Sequence, residues 1–296
     1  MRRLALFALA LALLGLAVFW GVTTPRPRDH AALAALTGDA VRGEPVFWAA
    51  GCASCHMAPG AKDAAQLVLL GGQVFASPFG SFVAPNISPD PVAGIGGWSV
   101  QDLAVALQDG ISPQGQHYYP ALPYAAYSNM ASQDVVDLKA FLDTLPADAT
   151  PSQPHQIGFP FNIRRTLGGW KLLFLRDDWV LSDAPTPELQ RGRYIVEALA
   201  HCGECHTPRN VLGGLQRGSW LGGAANPDGK GRTPNITPGN LAWSEAEIVE
   251  YLTSGFTPEF DSVGGHMAQV VDNMARLPDS DRAAVAAYLK ALPAVP

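Results

Sequence analysis

The sequence predicts an all-α protein: two tandem helical domains carried behind an N-terminal apolar helix. Three observations predict it. Strand-like alternation is nearly absent, whereas apolar residues recur at helical spacing between long loops rich in glycine and proline. A series of short motifs in the first half returns in the second, in the same order, at offsets of 145 to 150 residues. An unbroken apolar run opens the chain. Of the 296 residues 48% are hydrophobic and 16% charged, which is the balance of a folded, core-rich protein. The net charge of −6 leaves no electrostatic footprint for nucleic acid.

Residues 1–37 read as a membrane anchor and tether. Arg2 and Arg3 precede 19 apolar residues, Leu4 to Val22. A signal peptide's apolar region runs about 7–15 residues and a spanning helix about 17–25. No convincing small-residue cleavage site follows, and Trp20 falls at the far end, where an interfacial aromatic belongs. An uncleaved anchor with its basic end in the cytoplasm is expected, a cleaved signal being the alternative. Pro25-Arg26-Pro27-Arg28 reads as a short stiff tether.

Residues 38–148 form the first domain. A helix is expected from Gly38-Asp39 through Val46, Phe47 and Trp48 directly into Cys52-Ala53-Ser54-Cys55-His56. After a long loop containing Pro85-Asn86-Ile87-Ser88, Ser99 is a suitable N-cap for a helix that Gly110 ends. A last helix from about Ser132 carries Val135, Val136, Leu138, Phe141 and Leu142. Residues 149–184 are a bridge bounded by prolines and rich in aromatics, among them Phe159, Phe161, Trp170, Phe174 and Trp179. It reads as a strap between the domains or as a docking surface.

Residues 185–296 repeat the first domain. Arg42-Gly43 returns as Arg191-Gly192, the first pentapeptide as Cys202-Gly203-Glu204-Cys205-His206, and Pro85-Asn86-Ile87-Ser88 as Pro234-Asn235-Ile236-Thr237. Trp98-Ser99 returns as Trp243-Ser244, Gly110 as Gly255, and Phe141-Leu142 as Tyr288-Leu289. The two pentapeptides use all four cysteines of the chain. Cys-x-x-Cys-His is the attachment signature of haem c: two thiols at this spacing each join one vinyl group of a single porphyrin, and the next histidine supplies the proximal nitrogen to iron. A zinc site or a redox dithiol would leave both histidines unexplained. Cys52, Cys55 and His56, and Cys202, Cys205 and His206, are therefore expected to hold two covalent haem c groups.

The order of these motifs, with Phe159-Pro160-Phe161 and Gly169-Trp170-Lys171 in the bridge, resembles the cytochrome c subunits of bacterial membrane-bound alcohol, aldehyde and gluconate dehydrogenases. The resemblance covers most of residues 38–296. It implies two class I cytochrome c domains facing the periplasm from the inner membrane. It also implies an electron relay from a periplasmic or membrane-bound dehydrogenase to a respiratory-chain acceptor, whether quinone, cytochrome or oxidase. Members of that group usually carry three haems; this chain has two motifs and fits as a dihaem relative.

The sixth iron ligand in such proteins is most often methionine. Met267, in Gly264-Gly265-His266-Met267 ahead of the terminal helix, is the expected ligand of the second haem, with His266 and Met274 as bystanders. The related subunits read Tyr-Pro-Ala-Met-Pro-Tyr where this chain has Tyr119-Pro120-Ala121-Leu122-Pro123-Tyr124, and leucine cannot bind iron. Met130 is the first candidate for that haem, with His117 or an open position as alternatives. An open position would suit a dihaem redox enzyme of peroxidase or thiosulfate-oxidising type.

Overall fold

The computed structural model describes residues 1–227 and 229–296. Helix α1 (Arg2–Val22) leads, with none of its residues buried. In the first helical set, α2 (Ala40–Ala49) is capped by Asp39, whose carboxylate accepts from the Val41 and Arg42 amides. The expected continuous helix breaks at Gly51, which takes a left-handed φ of 67°, and the pentapeptide forms its own short helix α3 (Cys52–His56). Helix α4 (Val100–Asp109) starts after Ser99 and ends at Gly110, as its sequence predicts; Ser99 and Asp102 form a capping box, and Gly110 is left-handed. Short α5 (Tyr124–Tyr127) and α6 (Ser132–Leu142) complete the set. The bridge contains α7 (Thr166–Phe174).

The second set runs α8 (Pro187–Arg193), α9 (Gly203–His206), α10 (Glu245–Ser254), α11 (His266–Met274) and α12 (Asp279–Ala291). Between α8 and α9 the chain continues as a π-helical segment, Tyr194–Leu199. Gly43 and Cys52 are nine positions apart and Gly192 and Cys202 ten, so the second copy holds one extra residue here. A widened π turn is the usual way a helix absorbs one.

Corresponding helices cross in the same way in both sets. A Cβ on Gly43 would lie 2.0 Å from the Asp137 carbonyl oxygen of α6, and one on Gly192 would lie 2.0 Å from that of Ala284 in α12. These glycines let α2 and α8 approach the terminal helices backbone to backbone. The neighbouring arginines are also equivalent: Arg42 bonds to Asp137 through two nitrogens, and Arg191 to Asp281. Asp281 lies one helical turn earlier in its helix than Asp137 does, so the pair survives with its acid moved by a turn.

Among the described residues, five strands of two to four residues lie in the loops. Strands β1 (Val74–Ser77) and β2 (Gly80–Val83) form a hairpin in the register Val74 to Val83, and β3 (Gln156–Ile157) pairs antiparallel with β2. Strands β4 (Ala224–Ala225) and β5 (Arg232–Thr233) pair in the second set. Segments this short show at most two side chains per face, which leaves no alternation to read in sequence.

The residues read as a tether lie against the first set. Arg28 bonds to Asp109 at 2.7 Å and to the Gln108 carbonyl at 2.7 Å, and His30 Nε2 lies 2.7 Å from Asp109 Oδ2. The bridge touches both sets: Phe161 meets Phe79, while Trp170 stands edge-on to Tyr124 and donates its indole N–H to the Leu212 carbonyl. A single apolar core, including Phe47, Leu138, Ile195 and Tyr288, runs through both sets.

Candidate haem-attachment sites

Each pentapeptide is held at its histidine. His56 Nδ1 lies 2.8 Å from the Pro85 carbonyl, and His206 Nδ1 lies 2.8 Å from the Pro234 carbonyl. A proton on Nδ1 donates to that carbonyl and leaves the Nε2 lone pair free, the state in which imidazole binds iron. Burial pushes both imidazoles below their ordinary pKa, outweighing the bond to the proline, so each is neutral and able to ligate. The histidine carbonyls accept from Gly71 and Gly223, both at 2.7 Å.

The proline carbonyls are positioned by the motif around them. Asn86 Oδ1 accepts from the Ser88 amide at 2.8 Å, closing a turn, while its Nδ2 donates to the carbonyls of Asp148 and Thr150. Asn235 makes the same turn with Thr237, and its Nδ2 donates to the Val295 carbonyl. The repeated Pro-Asn-Ile was visible in sequence as a landmark; its bond to the histidine of each pentapeptide was not.

All four thiols are free. Burial pushes Cys52 and Cys202 up to about 12 and Cys55 up to about 11, so they are protonated at neutral pH, unlike the low-pKa thiol of a redox dithiol. Among the described residues no three His, Cys, Asp or Glu side chains converge to hold a bare metal ion. Two thiols and a neutral, oriented imidazole at each site fit a covalently bound haem.

The two sites face one another. Tyr127 donates its hydroxyl to the Ala50 carbonyl at 2.7 Å, two residues ahead of Cys52, and its ring stands edge-on to His201, the residue before Cys202. His201 has a φ of 43° and occupies the place of Gly51 in the repeat, also left-handed. Asn273 reaches from α11 to Ser54, inside the first pentapeptide. Tyr127, His201 and Asn273 were not singled out from the sequence, because nothing local marks a residue that works across an interface.

The candidate distal residues separate. Met267 is half-buried near the start of α11, packed against the core. It lies on a helix rather than in the expected loop: Pro120 and Pro123 interrupt the matching stretch of the first copy, and no proline stands between Phe260 and Leu277. His266 is exposed beside Phe75, and Met274 is buried in the core. Met130 is 3% exposed in the core, and its amide donates to the Tyr127 carbonyl as that of Leu277 donates to Met274. It thus takes the place of an apolar packing residue. His117 is turned away from both pentapeptides in its bonding, with Nε2 2.9 Å from the Thr23 carbonyl at the end of α1. Leu122 is partly buried against the core.

The chain is similar to known proteins. The cytochrome c family model matches residues 40–146. A dihaem cytochrome c-type protein of Cereibacter sphaeroides is 56% identical over the full length of both chains. The fructose dehydrogenase cytochrome subunit of Gluconobacter japonicus is 38% identical over 86% of this chain and 52% of its own length. The cytochrome c subunit of the quinone alcohol dehydrogenase of Gluconobacter oxydans is 34% identical over 97% of this chain and 60% of its own length. This chain therefore spans little more than half of these two subunits. Electron transfer is the function that such subunits have in common with the sites described above. With the family match over the first helical set and a full-length relative at this identity, the chain belongs to the c-type cytochromes, beside dihaem cytochromes c and the cytochrome c subunits of dehydrogenases.

Proposed function

We propose that the protein is a dihaem electron carrier, built of cytochrome c domains at residues 38–148 and 185–296, that relays single electrons from a periplasmic dehydrogenase to the respiratory chain. The observation that carries this reading is the duplicated site: each Cys-x-x-Cys-His has its histidine Nδ1 on a proline carbonyl at 2.8 Å. When bound, haem supplies a one-electron iron couple whose potential follows from its axial ligands and burial.

The chain's own residues do the rest. Cys52 and Cys55, and Cys202 and Cys205, provide the thioether attachments. Pro85 and Pro234 fix the imidazoles of His56 and His206. Met267 is the distal ligand assigned to the second site. The dehydrogenase partner is supported by the relatives that are cytochrome subunits of sugar and alcohol dehydrogenases. Helix α1 has 21 residues, and an 18-residue window of it has a mean hydropathy of 2.5, which supports an anchor in the bacterial inner membrane.

Intact-mass measurement of protein matured in a host with a haem c attachment system tests the central point. Two haem additions that survive acid-acetone extraction are expected, and one or none overturns the reading. A second reading, a dihaem redox enzyme of peroxidase or thiosulfate-oxidising type, draws on Leu122, which stands where the motif of the family it resembles usually has methionine. Ready binding of carbon monoxide to the reduced first haem would favour it.

A further inference from the structure

Helix α7 is wedged among three partners and leaves a fourth face bare. Trp170 and Phe174, one turn apart, meet the second helical set: Trp170 bonds to Leu212, and Phe174 lies so close to Gly214 that a Cβ there would be 2.3 Å from its ring. Lys171 faces the first set, donating Nζ to the Asp109 and Gly110 carbonyls at the end of α4. Arg165 and Gly168 face the last turn of α1. The Arg165 guanidinium donates to the Trp20 carbonyl and to the hydroxyls of Thr23 and Thr24, and lies 4.2 Å from the centre of the Trp20 ring. Gly168 fits against Thr23, where a Cβ would fall 2.6 Å from the carbonyl oxygen.

Leu172 continues the stripe begun by Arg165 and Gly168 at helical spacing, with Leu173 beside it. They are 63% and 57% exposed, and Phe159, just ahead of α7, is 81% exposed.

We propose that this face, Phe159 with Leu172 and Leu173, rests on the lipid surface beside the point where α1 leaves the bilayer. The proposal deepens the anchor reading of α1 and rests on it. Two observations choose lipid over a protein partner. Helix α1 is apolar and none of its residues is buried, as suits a helix that a bilayer surrounds. Three hydrogen bonds from one arginine tie α7 to the final turn of that helix, so the bare leucines share its depth. Arg26 and Arg165 both bond to the end of α1, at the Gly21 and Trp20 carbonyls, and two cations there suit anionic headgroups. The chain would then rest on the membrane by a fixed side.

The test uses the full haem-loaded chain in nanodiscs whose phospholipids carry a photoactivatable diazirine in the acyl chain. After illumination, lipid adducts are mapped by peptide mass spectrometry. Adducts are expected within residues 2–22 and again within 159–174. Adducts confined to 2–22 overturn the proposal and leave the anchor intact, with the bare face then free for a protein partner. Adducts at 159–174 on protein whose residues 2–22 have been removed by processing uphold the surface and overturn the anchor. A Phe159→Ser, Leu172→Ser, Leu173→Ser variant that still carries both haems is expected to lose the second set of adducts. Retention of those adducts would also overturn the proposal.

Discussion

Asn273, on the helix that carries Met267, donates its side-chain amide to the hydroxyl of Ser54 at 2.8 Å. The bond joins α11 of the second set to the pentapeptide of the first, across 219 positions of sequence. Asn273→Ala and Ser54→Ala should each cost about 0.5–1.5 kcal/mol in denaturant unfolding, the net worth of one hydrogen bond. The double variant should cost less than the sum, since both singles remove the same contact. Strict additivity would show that the bond contributes nothing.

The close helix crossings make a sharper expectation. Gly43→Ala and Gly192→Ala each force a methyl group to within 2.0 Å of a carbonyl oxygen, and helices must separate to admit it. Each should lose about 1–3 kcal/mol by overpacking, read as a lower unfolding midpoint. Gly218→Ala, where nothing lies within 4 Å of the added carbon, is the control and should be close to neutral.

Met267 and Met130 should respond differently to truncation. Met267→Ala should abolish the thioether-to-ferric-iron charge-transfer band of one haem and lower its potential, because His/Met ligation raises it. Met130→Ala should instead cost about 2–5 kcal/mol of stability, as for other buried methionines, with the band unchanged. Loss of the band in Met130→Ala would make that residue a ligand.

His117 gives a pH dependence. Burial holds its imidazole below the ordinary value, the charges of Lys171 and Arg165 add to this, and the Thr23 carbonyl opposes it. Arg164, bonded to the His117 carbonyl, adds another positive group nearby. An unfolded histidine titrates near about 6.5, so below that pH the unfolded chain takes up a proton that the folded chain refuses. The contribution is complete above about pH 6.5 and is lost as pH falls towards the depressed folded value. The fall in unfolding temperature between pH 7 and pH 5 should be smaller in His117→Asn than in the parent. An identical slope would mean that His117 titrates alike in both states.

Helix boundaries were legible wherever capping chemistry is local. Ser99 and Gly110 marked the ends of α4 because each acts within four residues. The pentapeptides were legible because attachment to one porphyrin demands a set spacing. The break at Gly51 was not, since a glycine before a motif reads equally well as part of a helix. Nor was the place of Met130: a thioether reads as a ligand or as packing until its neighbours are known. Arg165 shows the same limit over a longer range. Its bonds to Trp20 and Thr23 span more than 140 positions, and no periodicity records such a pairing.

The π-helical turn at Tyr194–Leu199 bears on how the two halves could drift apart. One residue added to an ordinary helix swings everything beyond it by about 100° around the axis, enough to point an attachment motif at the wrong wall. Here the widened turn keeps the surplus to itself, and His206 meets Pro234 at the same 2.8 Å as His56 meets Pro85. A repeated helical set could thus tolerate a change of length next to its most demanding chemistry. Removing one residue from that turn should restore plain α geometry and still leave Cys202 and Cys205 facing their porphyrin.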